Sequence, residues 1–135
     1  MFDAPPPTSE RAYKSSSGGF IVQGTKASEN EFNVALALEH LKLPYIFQYS
    51  FLGGKVQRGG FVADFLVITT PLSTPLWVHG EYWHGRGRQR TEDELQQELI
   101  KFYHPGQLAD PVVLWGQETD TYSDALTAVR RELRV

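Results

Sequence analysis

Residues 64–84, DFLVITTPLSTPLWVHGEYWH, decide the fold. They continue an apolar run that begins at Phe61-Val62, turn through Thr70-Pro71 and Thr74-Pro75, and enter a second run at Leu76-Trp77-Val78. Aromatic and β-branched runs on both sides of proline-containing turns are typical of a β-hairpin. The sequence therefore predicts two neighbouring strands, with a cluster of polar and aromatic residues after the second.

Both arms of this hairpin carry ionisable groups. Asp64 lies inside the apolar first arm, where a charge is costly unless something specific stabilises it. The segment His79–His84 ends the second arm with two histidines, a carboxylate and two large aromatic residues. An aspartate in an apolar strand beside such a cluster predicts an active site. A salt bridge from Asp64 to Lys55 or Arg58 across the sheet is the structural alternative.

Composition limits the classes of function. With 135 residues, 41% hydrophobic and 21% charged, the chain has the size of one globular domain. No apolar run approaches the roughly 18 residues of a membrane span, so no membrane association is expected. Cysteine is absent, which excludes disulfides and thiolate metal sites and fits an intracellular, cytoplasmic or nucleoid-associated location. Because the net charge is −3, DNA binding would require a local basic patch.

The N-terminal region has little to bury. Residues 1–19 contain a run of three prolines and the run Ser15-Ser16-Ser17-Gly18-Gly19. We therefore predict a flexible arm over residues 1–19 and a single domain over residues 20–135. Phe20-Ile21-Val22 is predicted to form a short edge strand.

Capping boxes and periodicity predict the remaining elements. Ser28 with Glu31, and Thr91 with Glu94, have the S/T-x-x-E spacing that starts a helix. Apolar residues then recur at helical spacing, which predicts a first helix to about Leu41 and a second helix that Pro105-Gly106 ends. The positions are Val34, Ala35, Leu38 and Leu41 in the first helix, and Leu95, Leu99 and Phe102 in the second.

Further strands and a last helix complete the pattern. Residues 45–51 alternate as a strand does, and residues 111–115 are predicted as a short buried strand. Tyr122, Leu126, Val129 and Leu133 mark a last amphipathic helix. The order helix-strand-strand-strand-helix-strand-helix predicts an α/β protein whose mixed sheet lies between helices.

Up to the last strand this order resembles the αβββαβ core of the restriction-endonuclease-like PD-(D/E)xK nucleases, here followed by a C-terminal helix. Within that superfamily the motifs are most similar to those of the very-short-patch-repair (Vsr-type) endonucleases. Members carry a glutamate in the first helix, a glutamine in the next strand, an aspartate in the following strand, and a Gly-x-aromatic-Trp-His motif. Glu31, Gln48, Asp64 and Gly80–His84 stand at those places, and His79 precedes the glycine as in several members. The resemblance spans about residues 28–116 of the chain.

The resemblance implies a metal-dependent DNA endonuclease that hydrolyses phosphodiester bonds in nicking, repair or branched-DNA processing. Its cofactor would be Mg²⁺ or Mn²⁺, because hard cations prefer carboxylate, carbonyl and water oxygens. Asp64 would be the central ligand, assisted by the backbone carbonyl of Val78 and by Glu31. His79 and His84 would activate water, stabilise the charge of the transition state or protonate the leaving group, because histidine titrates near neutral pH.

The chain departs from the family pattern at several positions. Ala63 stands where a proline usually precedes the aspartate, and the (D/E)xK lysine is missing. In one register Glu81-Tyr82-Trp83 replaces that motif, with tryptophan at the lysine position. In the register that we prefer, because it also accounts for the Trp-His pair, Val78 takes the acidic position and Glu81 supplies the missing carboxylate to the metal. The cysteine-containing zinc site typical of Vsr enzymes cannot form, so no structural zinc is expected.

Segments on both sides of the hairpin are predicted to contact DNA. Five cations in the glycine-rich connection before the first arm and in the loop after the cluster are expected to bind phosphates: Lys55, Arg58, Arg86, Arg88 and Arg90. Tyr82 and Trp83, if exposed, would stack on or wedge between bases.

Structural interpretations fit the same residues. Glu31 at a capping box stabilises the helix start regardless of chemistry, the histidines and aromatic residues of the cluster fit packing roles, and the arginines fit a solvated loop. For the whole protein, two other classes stay open: a nuclease-fold module that binds DNA without cutting it, and a structural subunit of a larger assembly. Whether the chain acts alone or as a homodimer is open as well.

Overall fold

The computed structural model describes residues 11–51, 61–79, 91–104 and 106–135. These residues form seven strands and four helices in a mixed α and β arrangement. The strands are β1 (Tyr13–Lys14), β2 (Phe20–Val22), β3 (Thr25–Ala27), β4 (Tyr45–Ser50), β5 (Val62–Val67), β6 (Thr74–His79) and β7 (Val112–Trp115). The helices are α1 (Glu29–His40), α2 (Glu92–Leu99), α3 (Gly116–Thr119) and α4 (Tyr122–Leu133).

The predicted hairpin forms the centre of a four-stranded sheet with the order β4-β5-β6-β7. β4 pairs with β5 and β5 with β6 in antiparallel fashion, whereas β6 and β7 are parallel. Antiparallel neighbours need only short turns, but the parallel pair requires a crossover, and the segment that contains α2 provides it. The sheet is therefore mixed, as predicted, and the second hairpin arm begins at Thr74, within the predicted turn.

Both faces of this sheet are covered. On one face a first core joins α1 and α4 to the sheet, through residues such as Leu38, Val129 and Phe65. On the other face a second core joins α2 to the sheet, through residues such as Leu95, Leu99 and Trp77. Because apolar side chains extend from both faces of the sheet, β5 and β6 are mostly apolar in sequence, apart from Asp64 in β5 and the terminal residues Thr74 and His79 of β6.

The predicted helix starts are confirmed at α1 and α2. The Ser28 hydroxyl accepts the Glu31 N–H at 3.1 Å, and the Glu31 carboxylate accepts the Ser28 N–H at 2.8 Å. Thr91 and Glu94 form the same reciprocal pair. Each pair satisfies donors that the first helical turn leaves without partners.

The second helix ends earlier than predicted, at Leu99. Bonds of the tighter i to i−3 kind follow, from Lys101 N–H to the Glu98 carbonyl and from Phe102 N–H to the Leu99 carbonyl. Phe102 still packs on the second core, but from the turn after the helix. Pro105-Gly106 therefore does not end this helix.

The last helix is confirmed, and three of its four predicted apolar positions pack on the first core: Val129 is buried, and Leu126 and Leu133 are partly buried. Ala125, Ala128 and Val129 are buried, whereas Tyr122 is exposed. α4 packs against α1, where Ala35 and Ala37 are also buried. The small side chains at this contact allow the two helices to approach closely.

A second sheet precedes α1 and includes part of the predicted N-terminal arm. Its order is β1-β2-β3, so the strand Phe20–Val22 is central and not, as predicted, an edge strand. A two-residue turn at Gln23-Gly24, both with positive φ, joins β2 to β3. The Gln23 carboxamide donates to the Tyr45 carbonyl and accepts the Phe47 N–H, each at 2.7 Å, and so covers the open edge of β4.

None of the helices in the described part of the chain combines the length and the hydropathy needed to cross a membrane.

Candidate metal site at the end of the hairpin

Asp64 lies where the two hairpin strands separate. The paired residues of β5 and β6 run from Val67–Thr74 to Phe65–Leu76, so Asp64 is the next residue beyond the ladder. Its Oδ2 atom accepts the backbone N–H of Val78 at 2.7 Å. The carboxylate thus satisfies a backbone donor in the gap between the diverging strands.

Glu31 approaches Asp64 from helix α1. It lies in the first turn of α1, which packs on the sheet face that carries the first core. Glu31 lies close enough to Asp64 for its charge and a side-chain hydrogen bond to raise the pKa of Asp64, and it also makes the capping contact with Ser28. The structural and the functional interpretation of Glu31 are therefore compatible, because one carboxyl group takes part in both contacts.

The environment of Asp64 favours its protonated form. The pKa of Asp64 is raised from 3.8 to about 7, mainly by burial and also by the charge of Glu31 and the hydrogen bond to it, while the Val78 N–H acts in the opposite direction. Two carboxyl groups in contact cannot both be charged at low cost unless a cation lies between them. Asp64 therefore keeps its proton to a higher pH than an ordinary aspartate does.

The backbone of Val78 faces the same gap. In an extended strand the N–H and the C=O of one residue point to the same side. Because the Val78 N–H points to Asp64, its carbonyl leaves β6 on the β5 side. Two carboxyl groups and this carbonyl are hard oxygen donors of the kind that Mg²⁺ and Mn²⁺ prefer, so the donor set fits the predicted metal.

Gln48 has an unusual backbone opposite Asp64. The register of β4 and β5, Phe47 with Phe65 and Tyr49 with Ala63, places Gln48 across from Asp64. Its φ is 53°, a left-handed conformation that costs a residue with a Cβ about 1–2 kcal/mol. Strain of this kind is concentrated at functional sites.

Both strands change faces at this level. Tyr45 and Phe47 belong to the first core, but Tyr49 and Phe51 belong to the second, although a regular strand would place all four on one face. β5 changes faces in the same way, because Phe65 packs in the first core and Ala63 packs in the second. The alternating aromatic residues of segment 45–51 therefore pack on both faces of the sheet. The alternation is interrupted where Gln48 and Asp64 lie opposite each other.

His79 ends β6 one residue after Val78. Its ring makes an edge contact with Trp115, its register partner on β7, at a centroid distance of 4.9 Å. Trp77 belongs to the second core, so alternation directs His79 to the α2 side, away from the face on which Asp64 meets Glu31. The structure thus brings Glu31, Asp64 and Val78 together, with His79 at the same end of the sheet.

The other predicted site residues lie outside the described residues. They are Lys55, Arg58, Glu81, Tyr82, Trp83, His84, Arg86, Arg88 and Arg90. The alternative in which Asp64 pairs with Lys55 or Arg58 lies there as well. Within residues 11–51, 61–79, 91–104 and 106–135, no three histidine or acidic residues are grouped as metal ligands would be. The third carboxylate of the predicted site, Glu81, is one of the residues beyond these ranges.

Trp115 is a feature of this region that the sequence did not reveal. It was predicted to end a buried strand, but 42% of its surface is exposed, whereas Val112, Val113 and Leu114 are buried. The reason is its position, because it lies at the end of β7, where α3 begins and the second core stops. A hydrophobic pattern alone contains no signal for the point at which a strand leaves the core.

Comparisons with protein-family models, with curated proteins and with solved structures found no match for this chain.

Proposed function

We propose that this chain is a metal-dependent DNA endonuclease with a restriction-endonuclease-like core. Asp64 and Glu31 would hold Mg²⁺ or Mn²⁺, with the Val78 carbonyl and Glu81 completing the protein ligands. The observation that carries the proposal is the contact between the Asp64 and Glu31 carboxyl groups at the point where β5 and β6 diverge.

The arrangement of elements supports the same proposal. The order of α1, β4, β5, β6, α2 and β7 is the αβββαβ order of that nuclease core. The central hairpin is antiparallel, the last strand is parallel to its neighbour, and helices cover both faces. The same fold could carry another function, so the site residues and not the fold must decide the activity.

The chemistry follows from what each residue can do. A bound cation would polarise the scissile phosphate and lower the pKa of an attacking water. Asp64 and Glu31 would provide the negative charge that holds it, and the Val78 N–H fixes one oxygen of Asp64. We assign proton transfer to His84, because His79 points away from the face on which Asp64 meets Glu31. We assign phosphate binding to the cations at positions 55, 58, 86, 88 and 90. Tyr82 and Trp83 would contact bases.

Cleavage of a DNA panel tests the proposal. Plasmid, mismatched, branched and single-stranded DNAs are incubated with Mg²⁺ or Mn²⁺ and the wild type, Asp64→Asn or His84→Ala. We expect cutting by the wild type and a loss of about 100-fold or more in Asp64→Asn, since even residues that only support a metal ligand cost about 10–100-fold. Loss of a proton-transferring histidine in His84→Ala is expected to cost about 10²–10⁴-fold.

A matched control tests whether the loss of any nearby carboxylate, and not only of a metal ligand, reduces cutting. Glu29→Gln removes an exposed carboxylate from the same helix turn as Glu31 and should cut like the wild type. A folded wild type that binds DNA but cuts none of the panel would contradict the endonuclease and favour the binding module. A wild type that binds no DNA at low salt, where electrostatic binding is strongest, would favour the assembly subunit.

A further inference from the structure

Helix α1 carries Glu31 on the stripe that faces the sheet. Residues three and seven positions further along a helix share its face, and these are Val34 and Leu38, both fully buried in the first core. The fully buried apolar residues of α1 begin at Val34, so the turn that carries Glu31 lies ahead of them. The capping box does not tie this turn to the sheet, because Ser28 and Glu31 both belong to the start of the helix.

Asn30 links the first turn of α1 to the end of the last strand. Its side-chain nitrogen donates to three oxygens: the Gly116 carbonyl at 3.2 Å, the Thr119 hydroxyl at 2.9 Å and the Asp120 carboxylate at 3.1 Å. Gly116 directly follows β7, and residues 116–119 form α3. The first turn of α1 is thus tied to the segment that leaves the sheet at the candidate-site end of β6 and β7.

Asn33 repeats this contact one turn later. Its side-chain nitrogen donates to the Thr119 carbonyl at 2.9 Å, and the residue is buried. Asn30 and Asn33 are three positions apart and therefore lie on one side of α1, next to the stripe that faces the sheet. Thr119 is fully buried, and its hydroxyl donates to the Gly116 carbonyl at 3.3 Å. A buried network of hydrogen bonds of this kind fixes its members in one arrangement.

We propose that Asn30 and Asn33 are positioning residues that hold the first turn of α1 against α3 and so place the Glu31 carboxylate beside Asp64. The inference rests on the proposed function, because it takes Asp64 and Glu31 as ligands of a divalent cation. Residues that orient a metal ligand without binding the metal typically contribute about 10–100-fold to metal affinity or activity. Neither asparagine needs to touch the cation, because each acts through the helix turn that carries Glu31.

The test measures Mn²⁺ affinity by isothermal titration calorimetry, without DNA and at a temperature at which every variant is folded. We expect Asn30→Ala to bind Mn²⁺ about 10–100-fold more weakly than the wild type. Thr119→Val, which removes one acceptor of Asn30 and changes no residue of α1, should shift the affinity in the same direction. Thr91→Ala is the control, because it removes the cap of α2 on the other face of the sheet. It should lower the stability of the protein but not its affinity for Mn²⁺.

A double-mutant cycle with Glu31→Gln separates a positioning role from a general structural one. Because Asn30 acts through Glu31, Asn30→Ala should weaken Mn²⁺ binding in the wild type and have little further effect in Glu31→Gln. Wild-type affinity in both Asn30→Ala and Thr119→Val, or the same loss from Asn30→Ala in both backgrounds, would overturn the inference and leave the proposed cation site in place. A wild type that binds no Mn²⁺ would overturn both the cation site and the inference.

Discussion

At the scale of single residues, the unusual feature is a pair of carboxyl groups in contact with each other at a partly buried position. Asp64 contacts both Glu31 and the Val78 N–H, and it lies in a strand whose other residues are mostly apolar. Burial and the neighbouring Glu31 carboxylate raise the pKa of Asp64. Under the proposed function, a bound cation would take the place of the Asp64 proton.

The stability of the metal-free protein should fall as the pH rises from about 4 to about 7. The pKa of Asp64 is about 7 in the folded protein and 3.8 ordinarily, so in this range the folded state binds more protons than the unfolded state. Stability then decreases with pH until Asp64 is ionised in both states. Asp64→Asn, which keeps an acceptor for the Val78 N–H, should lack this contribution and be more stable than the wild type at about pH 8.

The measurement is the free energy of unfolding in urea with EDTA, at about pH 5 and about pH 8. Groups far from Asp64 contribute equally to the wild type and the variant, so the difference between them reports the coupled pair of Asp64 and Glu31. Glu29→Gln, an exposed position on α1, should keep the wild-type dependence. A wild type whose stability changes no more than that of Asp64→Asn between these pH values would contradict the account.

The strained residue opposite Asp64 gives a second prediction. Gln48→Gly should raise the free energy of unfolding by about 1 kcal/mol, because glycine adopts a φ of 53° without a Cβ penalty. Gln48→Val should lower it by at least a similar amount, since a β-branched residue resists this conformation.

Lys42→Gly is the control for this strain effect. Lys42 also has a positive φ, 58°, but it lies just after α1 and not in the strands around Asp64. Both glycine variants should be stabilised in urea unfolding. If Gln48→Gly were destabilised while Lys42→Gly gained stability, contacts of the Gln48 side chain, and not backbone strain, would dominate at that position.

At the scale of elements, one residue of helix α1 both caps the start of the helix and belongs to the candidate site. Glu31 closes the capping box with Ser28 and also contacts Asp64. The capping box holds the first turn of the helix, and the first core holds the helix on the sheet. The local signal that predicts the helix therefore also fixes the position of a candidate metal ligand.

Two variants separate these contributions. Ser28→Ala removes the hydroxyl that accepts the Glu31 N–H and should cost about 1 kcal/mol of stability, while cutting persists when metal is saturating. Glu31→Gln keeps an oxygen that can accept the Ser28 N–H, so it should remain as stable as the wild type at about pH 8 and lose most of the cutting.

Urea unfolding and DNA cleavage, measured side by side on both variants, check this pair of predictions. A Glu31→Gln protein that cuts normally but is destabilised like Ser28→Ala would show that Glu31 is only a capping residue.

The elements that could be predicted are those whose signals are local. Capping boxes at Ser28 and Thr91, and apolar runs on both sides of a proline-containing turn, identified α1, α2 and the hairpin. The small sheet was largely missed, because strands of two and three residues are too short for a periodic pattern. Helix α3 has only four residues and was missed for the same reason.

At the scale of the whole molecule, the sheet with two covered faces brings distant residues to one edge. Glu31 comes from a helix on one face, Asp64 and Val78 from the central strands, and Trp115 from the last strand. The sequence pointed to Glu31, Asp64 and Val78 by their resemblance to a motif. It could not reveal the conformation of Gln48 or the exposure of Trp115, because both depend on how strands change faces and end at the rim of the sheet.

The central claim is that Asp64 and Glu31 bind a divalent cation in place of a proton, and the most direct test is the effect of Mn²⁺ on the melting temperature of the wild type and of Asp64→Asn. The account predicts that Mn²⁺ raises the melting temperature of the wild type, since a ligand that binds only the folded state stabilises it by about 2.7 kcal/mol at 100 times its Kd. This rise should be larger at about pH 8 than at about pH 6, because the cation displaces a proton, and it should be absent in Asp64→Asn. Equal responses of the two proteins to Mn²⁺ at both pH values would contradict the account.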